Sequence, residues 1–328
     1  MIVYVGFILL MLTGLILLGL VGIKIWIEVT KKMCSCKVNL EGKIVVITGG
    51  NTGIGFETAK ILAKRGATVV IASRNDAKSK AAAEKITEVT GNPNIFYKHL
   101  DLGRLASVKK FAEDFDKSFD RLDVLINNAG FTEAEQRHSE DGIENVMQVN
   151  HVAHIYLTNL LMPKIVASKP SRIIIVTSMA HATHKFQRDD LLLGKRRLNF
   201  WTRYANSKLC NLLSAKAMAK RLPEGVTVNS LHPGMGKSDI FAKIPDCPKK
   251  ILYFIMDRIC KTVVECAQTS VHLACAPSLA SVSGLYFDDC EVTTPHHTVT
   301  DELAEQVWTD TLSLIEDRTK RFEKIGTE

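Results

Sequence analysis

The chain is 328 residues long, carries 42 Lys and Arg against 35 Asp and Glu for a net charge of +7, and is 46% hydrophobic. The charge is modest and scattered, which excludes a nucleic-acid-binding stripe, and the basic run at residues 194–197 reads as a solvated loop. Eight cysteines without a CxxC pair exclude a disulfide scaffold and are read as reduced thiols.

Residues 1–23 carry no charged side chain and are dominated by Leu, Ile, Val and Gly. At ~1.5 Å per residue such a run spans a hydrocarbon core of ~30 Å. It has neither the basic start nor the small-residue cleavage site of a secretory signal. Residues 1–27 are therefore expected to be an uncleaved membrane anchor, and residues 28–41 a basic linker. Lys24, Lys31, Lys32 and Lys37 follow the apolar run and none precede it. Basic flanks stay cytosolic, so residues 42–328 are expected on that side. Cys34 and Cys36, beside the membrane, are open to acylation.

Beyond the linker, short Val/Ile-rich runs at residues 43–48, 68–73, 95–99, 124–127, 172–177, 227–231 and 284–287 alternate with helical patterns at 56–65, 77–90, 105–119, 142–162 and 204–222. The runs show little polar alternation, as strands buried on both faces do. Such strand–helix alternation argues for an α/β domain, a parallel sheet covered by helices on both sides. Residues 233–261 break the rhythm. Within them "KKILYFIMDRICK" reads equally as a lid on the lipid surface and as a core or dimer helix. A closing amphipathic helix spans 299–324.

The first strand runs into Gly49-Gly50-Asn51-Thr52-Gly53-Ile54-Gly55, and a helix begins near Gly53. Glycines tolerate positive φ and close backbone approach, and a helix start offers unpaired N–H groups and partial positive charge. A tight turn would explain them too, but the arrangement suits a pyrophosphate. The spacing is GxxxGxG, not GxGxxG. At the end of the second strand an acid would hold the ribose of NAD, and a basic group the 2′-phosphate of NADP. Ser73-Arg74 stands there, so NADP(H) is expected. Asp101, followed by Leu102, is placed after the third strand to accept from an adenine amino group or to cap the next helix. Asn127-Asn128-Ala129-Gly130 ends the fourth strand with small residues against which a cofactor can lie.

Tyr204 and Lys208 are four apart and share a helix face. With an ordinary pKa of ~10, tyrosine is a poor base near neutrality. A nearby ammonium and an oxidised nicotinamide favour phenolate and fit the group to exchange a proton with a substrate oxygen. Of six tyrosines, only Tyr204 has a lysine four residues later. Ser178 follows the fifth strand on the same sheet edge and is placed to polarise a carbonyl. Asn150 lies inside a helical pattern where asparagine is a mediocre helix former; its amide suits a water or a backbone group in a kinked turn. No GxSxG or HExxH occurs. The pairs His151/His154 and His181/His184 lack a third ligand, so no metal is expected.

In this order the motifs resemble the short-chain dehydrogenase/reductase family over residues 43–289, and "TGGNTGIG", "YANSKLCN", "LHPG" and "SGLYFDDC" are most similar to its membrane-anchored retinol dehydrogenase-like branch. The resemblance implies a Rossmann-type doubly wound sheet of seven parallel strands, with NADP(H) across its carboxyl edge. It implies Tyr204 as acid/base and Lys208 as the group that lowers its pKa and bonds the nicotinamide ribose. Ser178 would orient the carbonyl, and Asn150 would continue a proton relay through water. Pro233 and Gly234 would line the nicotinamide, and Ser238 would offer a hydroxyl to its carboxamide. Two features depart from the common pattern. Ser178 and Tyr204 stand 26 apart (204 − 178), and Met235-Gly236-Lys237-Ser238 replaces a Val-Val-Arg-Thr-like run.

The expectation is an NADP(H)-dependent oxidoreductase that interconverts a lipophilic primary alcohol and its aldehyde: retinoids first, then farnesol-like or fatty aldehydes, steroids last. The family default places it as a single-pass protein of the endoplasmic reticulum. A mitochondrial membrane, a homodimer and the reaction direction stay open. A nucleotide-binding scaffold without turnover would have no need of Ser178, Tyr204 and Lys208, and an isomerase using the same tyrosine would consume no NADPH.

Overall fold

The computed structural model describes residues 2–185, 187, 195–236, 258 and 260–325. Ser238 and residues 249–257 and 259 of the expected lid lie outside them. The first element, α1 (Ile2–Thr30), is apolar on all sides. From Gly6 to Thr30 its mean hydropathy reaches 2.6, and its most apolar stretch is not covered by the rest of the chain. By length and composition it can cross a membrane. Residues 31–40 have no regular structure, yet they are pinned. Lys31 Nζ pairs with Glu265 at 2.5 Å, Cys34 N–H donates to Gln268 Oε1 at 3.2 Å, and Leu40 N–H donates to the Arg65 carbonyl at 2.7 Å.

The domain is built on strands β1 (Ile44–Thr48), β2 (Thr68–Ser73), β3 (Ile95–His99), β4 (Val124–Asn127), β5 (Ser171–Val176), β6 (Val226–His232), β7 (Tyr286–Asp288) and β8 (Glu291–Thr293). They lie in the order β3-β2-β1-β4-β5-β6-β7-β8. Successive side chains enter opposite layers. Val45, Ile47, Ile174 and Val176 belong to one core, and Val46, Ile173 and Ile175 to the other. Burial on both faces is why the inner strands show no polar alternation, whereas the edge strand β3 leaves Phe96 and Tyr97 exposed. Helices α2 (Gly53–Lys64), α3 (Asp76–Thr90) and α8 (Val263–Cys275) cover the first layer. The second is covered by α4 (Leu105–Ser118), α6 (Ala153–Ala167), α7 (Phe200–Ala219) and α9 (Asp301–Ile325). On α4 the buried residues Leu105, Val108, Phe111, Ala112 and Phe115 recur every three or four positions and form one apolar stripe.

Two details differ from the sequence reading. The sheet has eight strands, not seven, because β8 pairs antiparallel with β7 at the edge. The two are joined by Asp289 and Cys290, at φ 49° and 64°. Two left-handed residues make the turn that matches hairpin twist, and Asn-Gly ordinarily signals it; no such signal stands here. The single helix expected over 142–162 is also broken into a short α5 (Asn145–Met147), a π turn (Gln148–Val152) and α6. The strand order reverses between β1 and β4, which opens a crevice at their carboxyl ends, where open α/β sheets bind ligands.

Candidate active site

A cavity of about 480 Å3 fills this crevice, lined at one end by the glycine turn and at the other by Ser178, Tyr204 and Lys208. In the turn, Gly49 has φ 64°. A Cβ on Gly55 would lie 2.4 Å from the Gly49 carbonyl oxygen and 2.6 Å from Asn128 Nδ2. Thr52, ahead of α2, makes no side-chain capping bond, so the first-turn N–H groups are left for an anion. Gly55→Ala is expected to cost about 1–3 kcal/mol through overpacking, read as a lower urea midpoint. Gly53→Ala, where an added Cβ meets nothing within 4 Å, should cost less despite its φ of 55°; the reverse order would refute this account.

Thr48, the last residue of β1, joins the turn to the rest of the site. Its Oγ1 accepts the N–H groups of Asn128 and Ala129, each at 2.9 Å, while Asn128 Nδ2 donates to the Thr48 carbonyl at 2.8 Å. With both lone pairs engaged, the hydroxyl donates to His154 Nε2 at 2.9 Å. His154 in turn directs Nδ1–H at the Asn150 carbonyl, 3.1 Å away. This tautomer is neutral, and burial pushes the His154 pKa down to about 3. The sequence reading weighed His154 only as a metal ligand; its position one helical turn after Asn150 was the available signal.

Asn150 sits in the π turn. Its Nδ2 donates to the Phe131 carbonyl and to Ser207 Oγ, both at 3.0 Å, and its Oδ1 accepts the Phe131 N–H at 2.9 Å. The side chain thus takes a backbone group, one of the two uses anticipated for it. Lys208 Nζ donates to the Val176 carbonyl at 3.0 Å and stands 5.7 Å from the centre of the Tyr204 ring. A Cβ on Gly130 would come within 3.2 Å of Lys208 Nζ and 3.5 Å of Asn150 Oδ1, so glycine is what lets the three meet.

The acidity of Tyr204 is governed first by its burial. Burial pushes its pKa up to about 12, and the opposing hydrogen bond with Ser178 offsets only part of this. Burial likewise brings Lys208 down to about 8. Both groups have left water and the amine is engaged by a carbonyl, so the lysine does not by itself create a phenolate. Burial and the Ser178 contact together keep Tyr204 a phenol near neutrality.

The residues expected at the far end do not join the cavity lining. Ser73 is buried, its Oγ 2.6 Å from Ser79 Oγ, and Arg74 is exposed just beyond β2. Asp101 Oδ1 accepts the Gly103 N–H at 3.0 Å and does not cap α4, whose Leu105 N–H goes to Asp141 Oδ2 at 2.9 Å. Leu102 is buried. Gly50 backs onto Ile47 and Ile71. Asn51, Thr52, Ile54, Asn128, Ala129, Pro233 and Gly234 do line the cavity. Gly236, a departure from the common pattern, now has a reason: a Cβ there would stand 2.5 Å from Cys266 Sγ.

Sequence reasoning missed Arg203 altogether. This buried guanidinium gives Nη1 to Glu144 Oε1 at 3.0 Å and to the Glu135 carbonyl at 3.1 Å, and Nη2 to the carbonyls of Glu133 and Ala134 at 2.7 and 3.0 Å. It fixes the loop after β4 to the helix that carries Tyr204. The cavity suits the pyrophosphate and nicotinamide half of a dinucleotide. It offers uncapped N–H groups beside small residues at one end and hydroxyl and amine donors at the other.

Comparison with known proteins shows the family. The short chain dehydrogenase family profile matches residues 43–248. Human retinol dehydrogenase 13 is 39% identical over 293 residues, 88% of each chain. Mouse retinol dehydrogenase 11 is 40% identical over 290 residues, 88% of this chain and 90% of its own. Among solved structures, an uncharacterized protein from Mycobacterium paratuberculosis superposes with a TM-score of 0.70 at 27% identity, covering 88% of this chain and 98% of its own. A short chain dehydrogenase from Shigella flexneri shares the fold, with a TM-score of 0.61 at 24% identity over 80% of this chain and 96% of its own. The chain therefore belongs to the short-chain dehydrogenase/reductase family, in its retinol dehydrogenase-like branch.

Proposed function

We propose that this protein is a membrane-anchored, NADP(H)-dependent oxidoreductase that interconverts a lipophilic primary alcohol and its aldehyde, with retinol and retinal as the leading pair. The observation that carries the reading is the convergence of Ser178, Tyr204 and Lys208 on the cavity that begins at the glycine turn. The choice of NADP(H) rests on Arg74, exposed at the end of β2, while the nearby acid Asp76 is engaged by His99 Nδ1 at 3.0 Å. The substrate class is supported by the retinol dehydrogenases above, by α1, and by Met179, Trp201 and Met235, large apolar side chains that line the cavity and are 52%, 42% and 45% exposed. Placement of the domain in the cytosol rests on the lysines at and after the end of α1, and placement in the endoplasmic reticulum on the family default.

When bound, NADP(H) supplies or accepts the hydride. The chain's own residues handle the oxygen. Ser178 Oγ is placed to hydrogen-bond the carbonyl, and Tyr204 to give that oxygen its proton as negative charge develops there. Lys208 keeps a positive charge near the phenol, and Asn150 fixes the loop that bears Gly130. In microsomes bearing the protein, NADPH should be consumed with retinal, farnesal or a long-chain aldehyde, and NADH far less. Arg74→Asp should reverse that preference. If no aldehyde in such a panel is reduced by the wild type, the enzyme reading fails.

A further inference from the structure

A second chemical centre lies at the opposite edge of the sheet from the cavity. The linker brings Cys34 and Cys36 against Cys275, the last residue of α8, and the three sulfurs lie within 4.8 Å of one another. Cys34 Sγ is 2.9 Å from Cys36 Sγ, which is 3.2 Å from Cys275 Sγ. These separations are too long for a disulfide at ~2.05 Å. They fall within about 1 Å of the roughly 3.8 Å that separates two sulfurs sharing a tetrahedral metal at ~2.3 Å. His272 stands one helical turn before Cys275 on the same helix, on the side from which a fourth ligand can be supplied by a side-chain rotation. The ligand pattern is C-x-C from the linker and H-x-x-C from the helix.

The surroundings suit an anionic thiolate cluster. Arg65 Nη1 lies 2.7 Å from Cys275 Sγ and 3.2 Å from Cys36 Sγ, and its Nη2 lies 3.8 Å from Cys34 Sγ. N–H donors to ligating sulfur are the usual outer partners of such centres. Three thiolates, a divalent ion and Arg65 would sum to zero charge. Cys34 and Cys36 are only partly buried, so an ion can enter. Arg172, near the start of β5, donates to the Leu273 and Ala276 carbonyls, both at 2.9 Å, at the same end of α8. Arg65 follows the last turn of α2, roughly 18 Å along that helix from the glycine turn. None of these residues lines the catalytic cavity.

We propose that Cys34, Cys36 and Cys275, with His272 in the fourth position, bind a zinc ion that staples the juxtamembrane linker to the domain. Binding releases the protons still held by the thiols and involves no change of oxidation state. The test uses the full-length chain in detergent, reduced and handled anaerobically, loaded with zinc and dialysed. About one zinc per chain should remain by mass spectrometry of the metal, and Cys36→Ser or Cys275→Ser should weaken zinc binding by at least about 100-fold. His272→Ala should weaken it by about tenfold or more. Cobalt in place of zinc should give a thiolate-to-cobalt charge-transfer band in the wild type. Removing zinc with a chelator should expose Lys31, Lys32 and Lys37 to trypsin while NADPH turnover persists. Absence of both the retained zinc and the cobalt band in wild-type protein overturns the proposal, whether or not the serine variants fold. Equal zinc in wild type and both serine variants overturns it too, as does an intact-mass deficit of two hydrogens that marks a disulfide among the three cysteines.

Discussion

Tyr204→Phe is expected to lower kcat for aldehyde reduction by about 1,000-fold, within the ~10²–10⁴ typical of positioned proton transfer, with nucleotide affinity and thermal midpoint little changed. The phenyl ring stays packed where the buried tyrosine ring was, and only the oxygen facing Ser178 is lost. The pH dependence follows from the raised pKa of about 12. Reduction consumes a proton from the phenol, the form present throughout the neutral range, so its rate should be flat from about pH 6 to 8. Oxidation of the alcohol needs the phenolate, so its rate should climb over the same interval, by up to about tenfold per unit. A bound oxidised nicotinamide favours the phenolate and shortens that climb. Steady-state rates in both directions across this range check the assignment. A Tyr204→Phe enzyme that keeps more than about a tenth of wild-type kcat would remove Tyr204 from the chemistry.

Arg203→Leu should be the most damaging of the single changes to stability. The guanidinium is engaged by one carboxylate and three carbonyls, and the side chains of Arg203 and Glu144 are only 2% and 4% exposed. Leucine fills much of the space but leaves the Glu144 carboxylate buried and unpaired. Breaking one side of a buried pair costs about 3–5 kcal/mol. Glu144 also caps α5 by accepting the Met147 N–H at 2.8 Å, so the loss spreads to the π turn and to Asn150. Arg203→Lys should recover little, because one ammonium cannot span the fork of acceptors. Combining Arg203→Leu with Glu144→Gln should recover part of the loss, since the amide oxygen still serves as cap and no charge is left behind. Urea unfolding of the three variants measures this, and a single-variant loss under about 1 kcal/mol would contradict the buried-pair account.

What the sequence disclosed follows from how local each cause is. The β1 turn was legible because its glycines answer to contacts within a few residues, Gly55 against the Gly49 carbonyl. The Tyr204–Lys208 pair was legible because helical spacing places both on one face. The β7–β8 hairpin was not, because Asp289 and Cys290 adopt left-handed φ without being glycine or asparagine. The break at Gln148–Val152 was hidden as well. It is held by Asn150 bonding Phe131 and Ser207, partners 19 and 57 positions away. Arg203 reads like any helical surface arginine until the loop at residues 133–135 closes over it. Likewise, Cys36 and Cys275 are separated by 239 positions, and no spacing rule joins them. The acidity of Tyr204 was only half legible for a related reason. The lysine was visible in the sequence, whereas the removal of both groups from water was not.

The pinned linker alters what the anchoring helix does. Ten unrestrained residues would give the globular part an r.m.s. reach of roughly 16–19 Å, tumbling as a tethered ball. Fastened through Glu265, Gln268 and Arg65, that segment behaves as a bracket instead. If α1 lies in a bilayer as proposed, the crevice would keep one height and one heading over the lipid plane, and a greasy molecule leaving the bilayer would meet the opening from the same direction each time.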